Sequence, residues 1–169
     1  TALGGAYSTV SGDIEATSWN PAGLYGIDRR NAVLSFNKYL VNSQAGFASI
    51  AMPSINGPWA ISANYVTYGK MQRTDIEGRD LGDFSASDIA IYTTFTRAFR
   101  NKSIILGTNL KMIYSSIDTY TSDAYAMDIG VQLAGPVKGM RLGASLSNLG
   151  VVRSAYAGDN KDQLPVHIR

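Results

Sequence analysis

The sequence predicts an all-β fold: an antiparallel transmembrane β-barrel, present as its N-terminal part, with a non-strand segment ahead of the first strand. Three observations carry this expectation. Apolar and polar residues alternate with a period of two over long stretches, and successive side chains of a strand point to opposite faces. The alternating runs are roughly 9 to 13 residues long, whereas globular strands average about 5 to 6 and a tilted membrane-crossing strand needs about 9 to 11. Short connections alternate with longer ones, as in bacterial barrels with short periplasmic turns and longer extracellular loops.

The first 30 residues differ from the rest. They are small and polar, with weak helical spacing at Val10, Ile14 and Ser18. Asn20-Pro21 marks a turn, because Asn bonds its own following backbone and Pro fixes φ; Pro21-Ala22-Gly23-Leu24 opens a short helical turn. Residues 1–30 are therefore read as one compact unit and residues 31–169 as the strands. The chain begins directly on Thr1-Ala2-Leu3-Gly4-Gly5, the pattern of a mature or trimmed start.

Strands are expected at 31–38, 45–52, 59–67, 88–96, 103–115, 124–133 and 140–148, with an eighth beginning at Leu164. The clearest is Ala124 to Leu133, with Tyr125, Met127, Ile129, Val131 and Leu133 on one face and Asp128, Gly130 and Gln132 on the other. In Ser103 to Ser115, Leu106, Leu110, Met112 and Tyr114 oppose Gly107, Asn109 and Lys111. Met140, Leu142, Ala144 and Leu146 oppose Arg141, Gly143, Ser145 and Ser147. Trp59, Ile61, Ala63 and Tyr65 oppose Ala60, Ser62, Asn64 and Val66. Connections 53–58, 97–102 and 134–139 are short; 39–44, 68–87, 116–123 and 149–165 lie at the other end. Tyr39, Trp59, Tyr65, Tyr68, Phe95, Phe99, Tyr114, Tyr120 and Tyr125 gather near strand ends, as in the aromatic girdles of barrels.

Composition agrees with this class. Charged residues are 17% of the 169, below the usual share of about a quarter in soluble domains. There are 17 glycines and 10 tyrosines, suited to tight turns and interfacial rings. With no cysteine and a single histidine, a disulfide framework or zinc site is not expected. A net charge of +2 argues against nucleic acid as a partner. No run of about 18 apolar residues occurs, so no transmembrane helix is expected. Asp75, Glu77, Asp80 and Asp83 lack the spacing of a calcium loop, and Gly4-Gly5 lacks the ending of a phosphate loop. No cofactor is expected. Catalysis is not expected either: His167, the one available base of a triad, lies on the last strand.

A barrel closed at eight strands has an interior only wide enough for side chains and no room for residues 1–30. A wider barrel is therefore expected, of which this chain supplies seven or eight strands, with residues 1–30 inside. The candidate lumen-facing polar residues are Asn109, Lys111, Asp128, Gln132 and Arg141. The candidate partner loops are 68–87, with Lys70, Arg73, Asp75, Glu77, Arg79, Asp80 and Asp83, and 149–165, with Arg153, Asp159, Lys161 and Asp162.

The run Gly4-Gly5-Ala6-Tyr7, then Ser11-Gly12-Asp13, then Trp19-Asn20-Pro21-Ala22-Gly23-Leu24 resembles the N-terminus of the PorV/PorQ family, outer-membrane barrels related to the FadL fatty-acid transporters. The likeness continues at Tyr68-Gly69-Lys70, at Leu81-Gly82-Asp83-Phe84-Ser85-Ala86-Ser87-Asp88, at Gly107-Thr108-Asn109-Leu110-Lys111, at Ser147-Asn148-Leu149-Gly150 and at Leu164-Pro165. The resemblance implies a barrel of about 14 strands in a Bacteroidetes-type outer membrane. It makes Trp19, Asn20, Pro21, Ala22 and Gly23 the motif of a hatch inside the lumen. It implies a part in type IX secretion, with outer-membrane lipid, secreted cargo proteins and other secretion proteins as partners. The alternative it leaves open is FadL-like transport of a hydrophobic small molecule, which predicts an apolar pocket near the hatch.

Overall fold

The computed structural model describes residues 7–39, 42–99, 101–137, 139–156 and 164–169. Gly4, Gly5 and Ala6 of the N-terminal run, and Asp159, Lys161 and Asp162 of the last loop, lie outside the described residues. Among those described, eight strands form one antiparallel sheet in sequence order: β1 (Asn31–Lys38), β2 (Gln44–Met52), β3 (Trp59–Thr74), β4 (Asp80–Phe99), β5 (Ile104–Ile117), β6 (Tyr120–Ala134), β7 (Arg141–Ser154) and β8 (His167–Ile168). Every strand pairs only with its chain neighbours, the simplest result of hairpin connections.

The two faces of the sheet are opposite in character. Leu34, Phe36, Ile50, Ile61, Ile91, Phe95, Leu106, Leu110, Met112, Ile129, Leu142 and Val151 share one face and are exposed. The other face carries Ser49, Ser62, Tyr92, Thr94, Asn109, Asp128, Gln132, Ser145 and Ser147, all buried. A sheet in water covers its apolar face and leaves the polar one wet; here the arrangement is inverted.

Residues 7–30 cover the polar face and contain no strand. Two 3-10 turns, Glu15–Ser18 and Pro21–Leu24, fold against each other, tied where the Gly12 N–H donates to the carbonyls of Gly23 (2.9 Å) and Tyr25 (2.8 Å). Ile14, Leu24 and Ile27 bury themselves against Ala51 and Ala60, with Val33 and Phe47 packed beside them. Each burial of this kind stabilises by about 1.5–3 kcal/mol. At the far side the Arg169 guanidinium lies 5.0 Å over the Trp19 ring. Laid flat at about 4.8 Å per strand, β1 and β8 would stand about 34 Å apart. One short segment touches both Val33 of β1 and the end of β8, so the sheet curls around it.

The structure corrects the expected loops. Residues 68–87 form no long loop: β3 runs on to Thr74 and β4 starts at Asp80, leaving 75–79 as a turn. Lys70 and Arg73 therefore sit on β3 and Asp80 and Asp83 on β4; of the candidate residues Asp75, Glu77 and Arg79 belong to the turn, where Asp75 Oδ1 accepts the N–H groups of Glu77 (3.0 Å) and Arg79 (2.7 Å). Likewise 116–123 is strand except for Asp118-Thr119, with Asp118 at φ 57° as a tight hairpin turn requires. β7 continues to Ser154, and β8 begins at His167 rather than Leu164. The alternation of short and long connections is correspondingly weaker than the spacing suggests. Beyond Thr67 and Ser87 polar residues predominate on both faces of the β3–β4 ribbon, Met71 paired with Phe84 apart, so no continuous apolar face marks these strands in the sequence.

Bulges keep the faces in order. Register shifts by one residue at Tyr68-Gly69, where Gly69 has φ 76°, a conformation that costs glycine little. On β7 two residues, Ser147 and Asn148, oppose the single Asp128. An inserted residue flips the side-chain phase. Leu149 and Val151 therefore join the exposed apolar face instead of pointing under the N-terminal segment.

Candidate functional site

The N-terminal segment rests on a seat built from β4 to β7. Pro21–Leu24 is the contact point, lying against β4, β5 and β6. All five residues of its motif are placed here. Asn20, Pro21, Ala22 and Gly23 are buried, and Trp19 is half-buried. Asn20 Oδ1 accepts the Ala22 N–H (3.0 Å) and so caps the turn. Its Nδ2 donates to the Ser8 carbonyl (2.7 Å) and reaches the Val131 carbonyl of β6 (3.2 Å). Gly23 has no room for a side chain, since a Cβ there would stand 2.5 Å from Ala16 Cβ.

Three glycines make the seat. Gly107 of β5 and Gly130 of β6 are register partners, and Gly143 of β7 stands opposite Gln132. A Cβ at Gly107 would lie 2.3 Å from the Ala22 nitrogen; at Gly130, 1.9 Å from Asn20 Oδ1; at Gly143, 2.4 Å from the Ser8 carbonyl. The segment's backbone lies directly on bare strand backbone at Gly107 and Gly143, and the Asn20 and Pro21 side chains do so at Gly130. Sequence reasoning passed over these glycines. Their signal was positional: each falls on the polar phase of three consecutive strands.

Around the seat stand the five predicted polar residues, all on the covered face. Asn109 Nδ2 donates to the Thr17 carbonyl (2.9 Å) and to Asp128 Oδ2 (2.7 Å), while its Oδ1 accepts from Thr94 Oγ1 (2.7 Å). Lys111 Nζ pairs with Asp128 Oδ2 at 2.6 Å, with both side chains largely buried. Asp128 Oδ1 accepts the Asn148 N–H (2.9 Å) and thereby pins the bulge. Gln132 Nε2 donates to the carbonyls of Ser8 (3.0 Å) and Val10 (2.9 Å), and Arg141 donates to Ser11. Ser145 Oγ, which the motif did not single out, donates to the Trp19 carbonyl (2.8 Å). Among the described residues no buried side-chain nitrogen or oxygen lacks a partner. A fully satisfied network of this kind holds one geometry rather than many.

Compared with family models, curated proteins and solved structures, the chain matches none.

The predicted partner residues stand apart from this seat. Lys70, Arg73, Arg79 and Asp83 are exposed on the ribbon formed by the outer parts of β3 and β4, and Asp75 is half-buried in its turn. Arg73 bonds Asp118 across to the β5–β6 turn and lies 5.7 Å from the Phe84 ring centre. Ile76 is fully exposed at the ribbon's tip.

Two expectations test the seat directly. Asn20→Ala removes the cap of the second turn and one of the two bonds to the Ser8 carbonyl, leaving the one from Gln132 Nε2. It should loosen residues 7–30 by about 1–3 kcal/mol, read as faster amide exchange there with the sheet unchanged. The Tyr7 phenol is pushed up to about 12 by its hydrogen bond to Asp13 and, secondarily, by burial. A raised value favours the protonated form in the folded state. The contribution is therefore complete below the ordinary value of 10.0 and is lost as pH climbs toward about 12. Between those limits Trp19, whose ring centre is 6.2 Å from that of Tyr7, should change fluorescence in the wild type but not in Tyr7→Phe.

Proposed function

We propose that this chain forms part of the wall of an outer-membrane β-barrel, with residues 7–30 as its lumenal hatch, and that it serves type IX secretion by binding exported proteins or their attachment partners at the cell surface. The observation that carries the membrane part is the inverted polarity of the sheet. An exposed apolar face spanning seven strands far exceeds the few hundred Å² that soluble monomers leave bare, and lipid is the solvent that suits it. Ile104 to Tyr114 on β5 covers about 33 Å of strand; at the roughly 40° tilt of barrel strands this is about 25 Å of height, the thickness of the apolar band of such barrels. Trp59, Phe95 and Phe99 lie toward one end of the bare face and Tyr65, Tyr114 and Tyr125 toward the other, where girdle residues belong. Beyond Tyr65 the ribbon of β3 and β4 becomes mainly polar and extends into water, offering Lys70, Arg73, Arg79 and Asp83 to partners.

The secretion role rests on the resemblance at Trp19–Leu24 and along the strands. The alternative, transport of a hydrophobic small molecule, draws on a cavity lined by Ile113, Ala124, Val152, Tyr156 and Leu164. Its volume of about 160 Å³ is below the roughly 300–1,000 Å³ of ordinary ligand pockets. Membrane fractionation followed by affinity capture tests both. The expected result is recovery with the outer membrane and co-purification of secreted proteins. Recovery in the soluble fraction without detergent would overturn the barrel; bound lipid with no secreted protein would overturn the secretion role.

A further inference from the structure

We infer that the rim at the short-turn end binds the headgroup of a zwitterionic glycerophospholipid, with its phosphate on Arg97 and Lys102 and its ammonium on Asp28. The inference rests on the membrane reading above. Among the described residues, Arg97 is the one charged side chain on the bare apolar face between the Phe99 row and the Tyr65–Tyr114 row. It is exposed and has no carboxylate partner among the described ion pairs. Its guanidinium lies 5.6 Å from the Phe99 ring centre, so it leans along the strand toward the short-turn end. A charge on a lipid-facing surface is tolerated where its head reaches the interface and an anion meets it there.

At that end a polar cavity of about 510 Å³ opens between the 53–58 turn, the end of β4 and the exit of the N-terminal segment. Arg97 and Lys102 line it together with Ser54 and Asn56, and Asp28 lines it from the N-terminal segment. Two cations and one carboxylate around a single cavity complement a phosphate joined to an ammonium. The adjoining Trp59, Phe95 and Phe99 offer an apolar path for the acyl chains. Phosphatidylglycerol matches the cations but places no positive group at Asp28. Phosphatidylcholine carries an ammonium that donates no hydrogen bond.

The test reconstitutes the complete barrel that contains this chain in phosphatidylcholine vesicles containing either phosphatidylethanolamine or phosphatidylglycerol, extracts it in mild detergent, and measures retained lipid by native mass spectrometry. Preferential retention of phosphatidylethanolamine is expected. Arg97→Ala should lower it about fivefold, the effect of one interfacial cation of about 1 kcal/mol, and Arg97→Lys should restore most of it. Asp28→Asn should abolish the preference over phosphatidylglycerol. Arg153→Ala, at the opposite end of the bare face, should change nothing. Equal retention by wild type and Arg97→Ala, loss of lipid on adding inorganic phosphate at equal concentration, or an equal fall in Arg153→Ala would each overturn the site while leaving the barrel standing. Failure of the wild type to enter vesicles at all would overturn both.

Discussion

Gly107→Ala is expected to lift the N-terminal segment from the sheet. The added Cβ would lie 2.3 Å from both the Ala22 nitrogen and the Pro21 carbonyl carbon. These are backbone atoms, so no rotamer change relieves the overlap. Pro21 fixes its own φ, and Ala22 is held by Asn20 on one side and Leu24 burial on the other, so the turn must move as a unit. Overpacking of this kind costs about 1–3 kcal/mol where side chains yield, and more is expected where backbone must. The readout is limited proteolysis within residues 7–30: rapid cleavage in Gly107→Ala, slow cleavage in wild type. Leu106→Ala, one residue away on the bare face, should leave the segment protected. Unchanged protection in Gly107→Ala would mean that the segment does not bear on β5.

Asp128→Ala should destabilise the sheet itself, by about 3–5 kcal/mol, the usual cost of breaking a buried ion pair from one side. Three donors converge on this carboxylate: Lys111 Nζ, Asn109 Nδ2 and the Asn148 N–H. Its removal leaves a buried ammonium without a counter-charge and frees the bulge that sets the phase of β7. The expected outcome is a lower urea midpoint for the folded protein and loss of protection at Leu149 and Val151. The double variant Lys111→Met with Asp128→Asn should recover part of the loss, because no unpaired charge then remains. A double variant no better than Asp128→Ala would show that the charge pair is not the origin of the effect.

The faces of β5 and β6 were legible in the sequence because apolar residues there fall on one phase with little interruption. Leu106, Leu110 and Met112 against Asn109 and Lys111 leave no other register. The same pattern placed Asn109, Lys111, Asp128, Gln132 and Arg141 together before any contact was known. The outer halves of β3 and β4 were not legible. From Lys70 to Thr74 and from Asp80 to Ser87 polar residues predominate on both faces, so period two has little apolar signal to show, and the many Gly and Asp residues read as loop. The glycine seat was missed for a different reason. Gly107, Gly130 and Gly143 count as neutral in a polar–apolar alternation, and their meaning appears only when three strands are laid side by side. The bulge at Ser147-Asn148 left a trace, since Leu149 and Val151 run out of phase with Leu142 and Leu146, but phase alone does not say which residue is the extra one.

The bonds from Asn20 and Gln132 also set an order of events in time. Asn20 is made early, yet its wall partner Val131 follows 111 residues later, and Gln132 reaches back 124 residues to Ser8. Loop closure over such separations makes folding slow. During that interval the small polar segment has no seat, and the apolar phases of every strand are in water. A nascent chain of this design is prone to aggregation until β7 arrives, and the membrane reading proposed above then calls for an escort that holds it unfolded on the way.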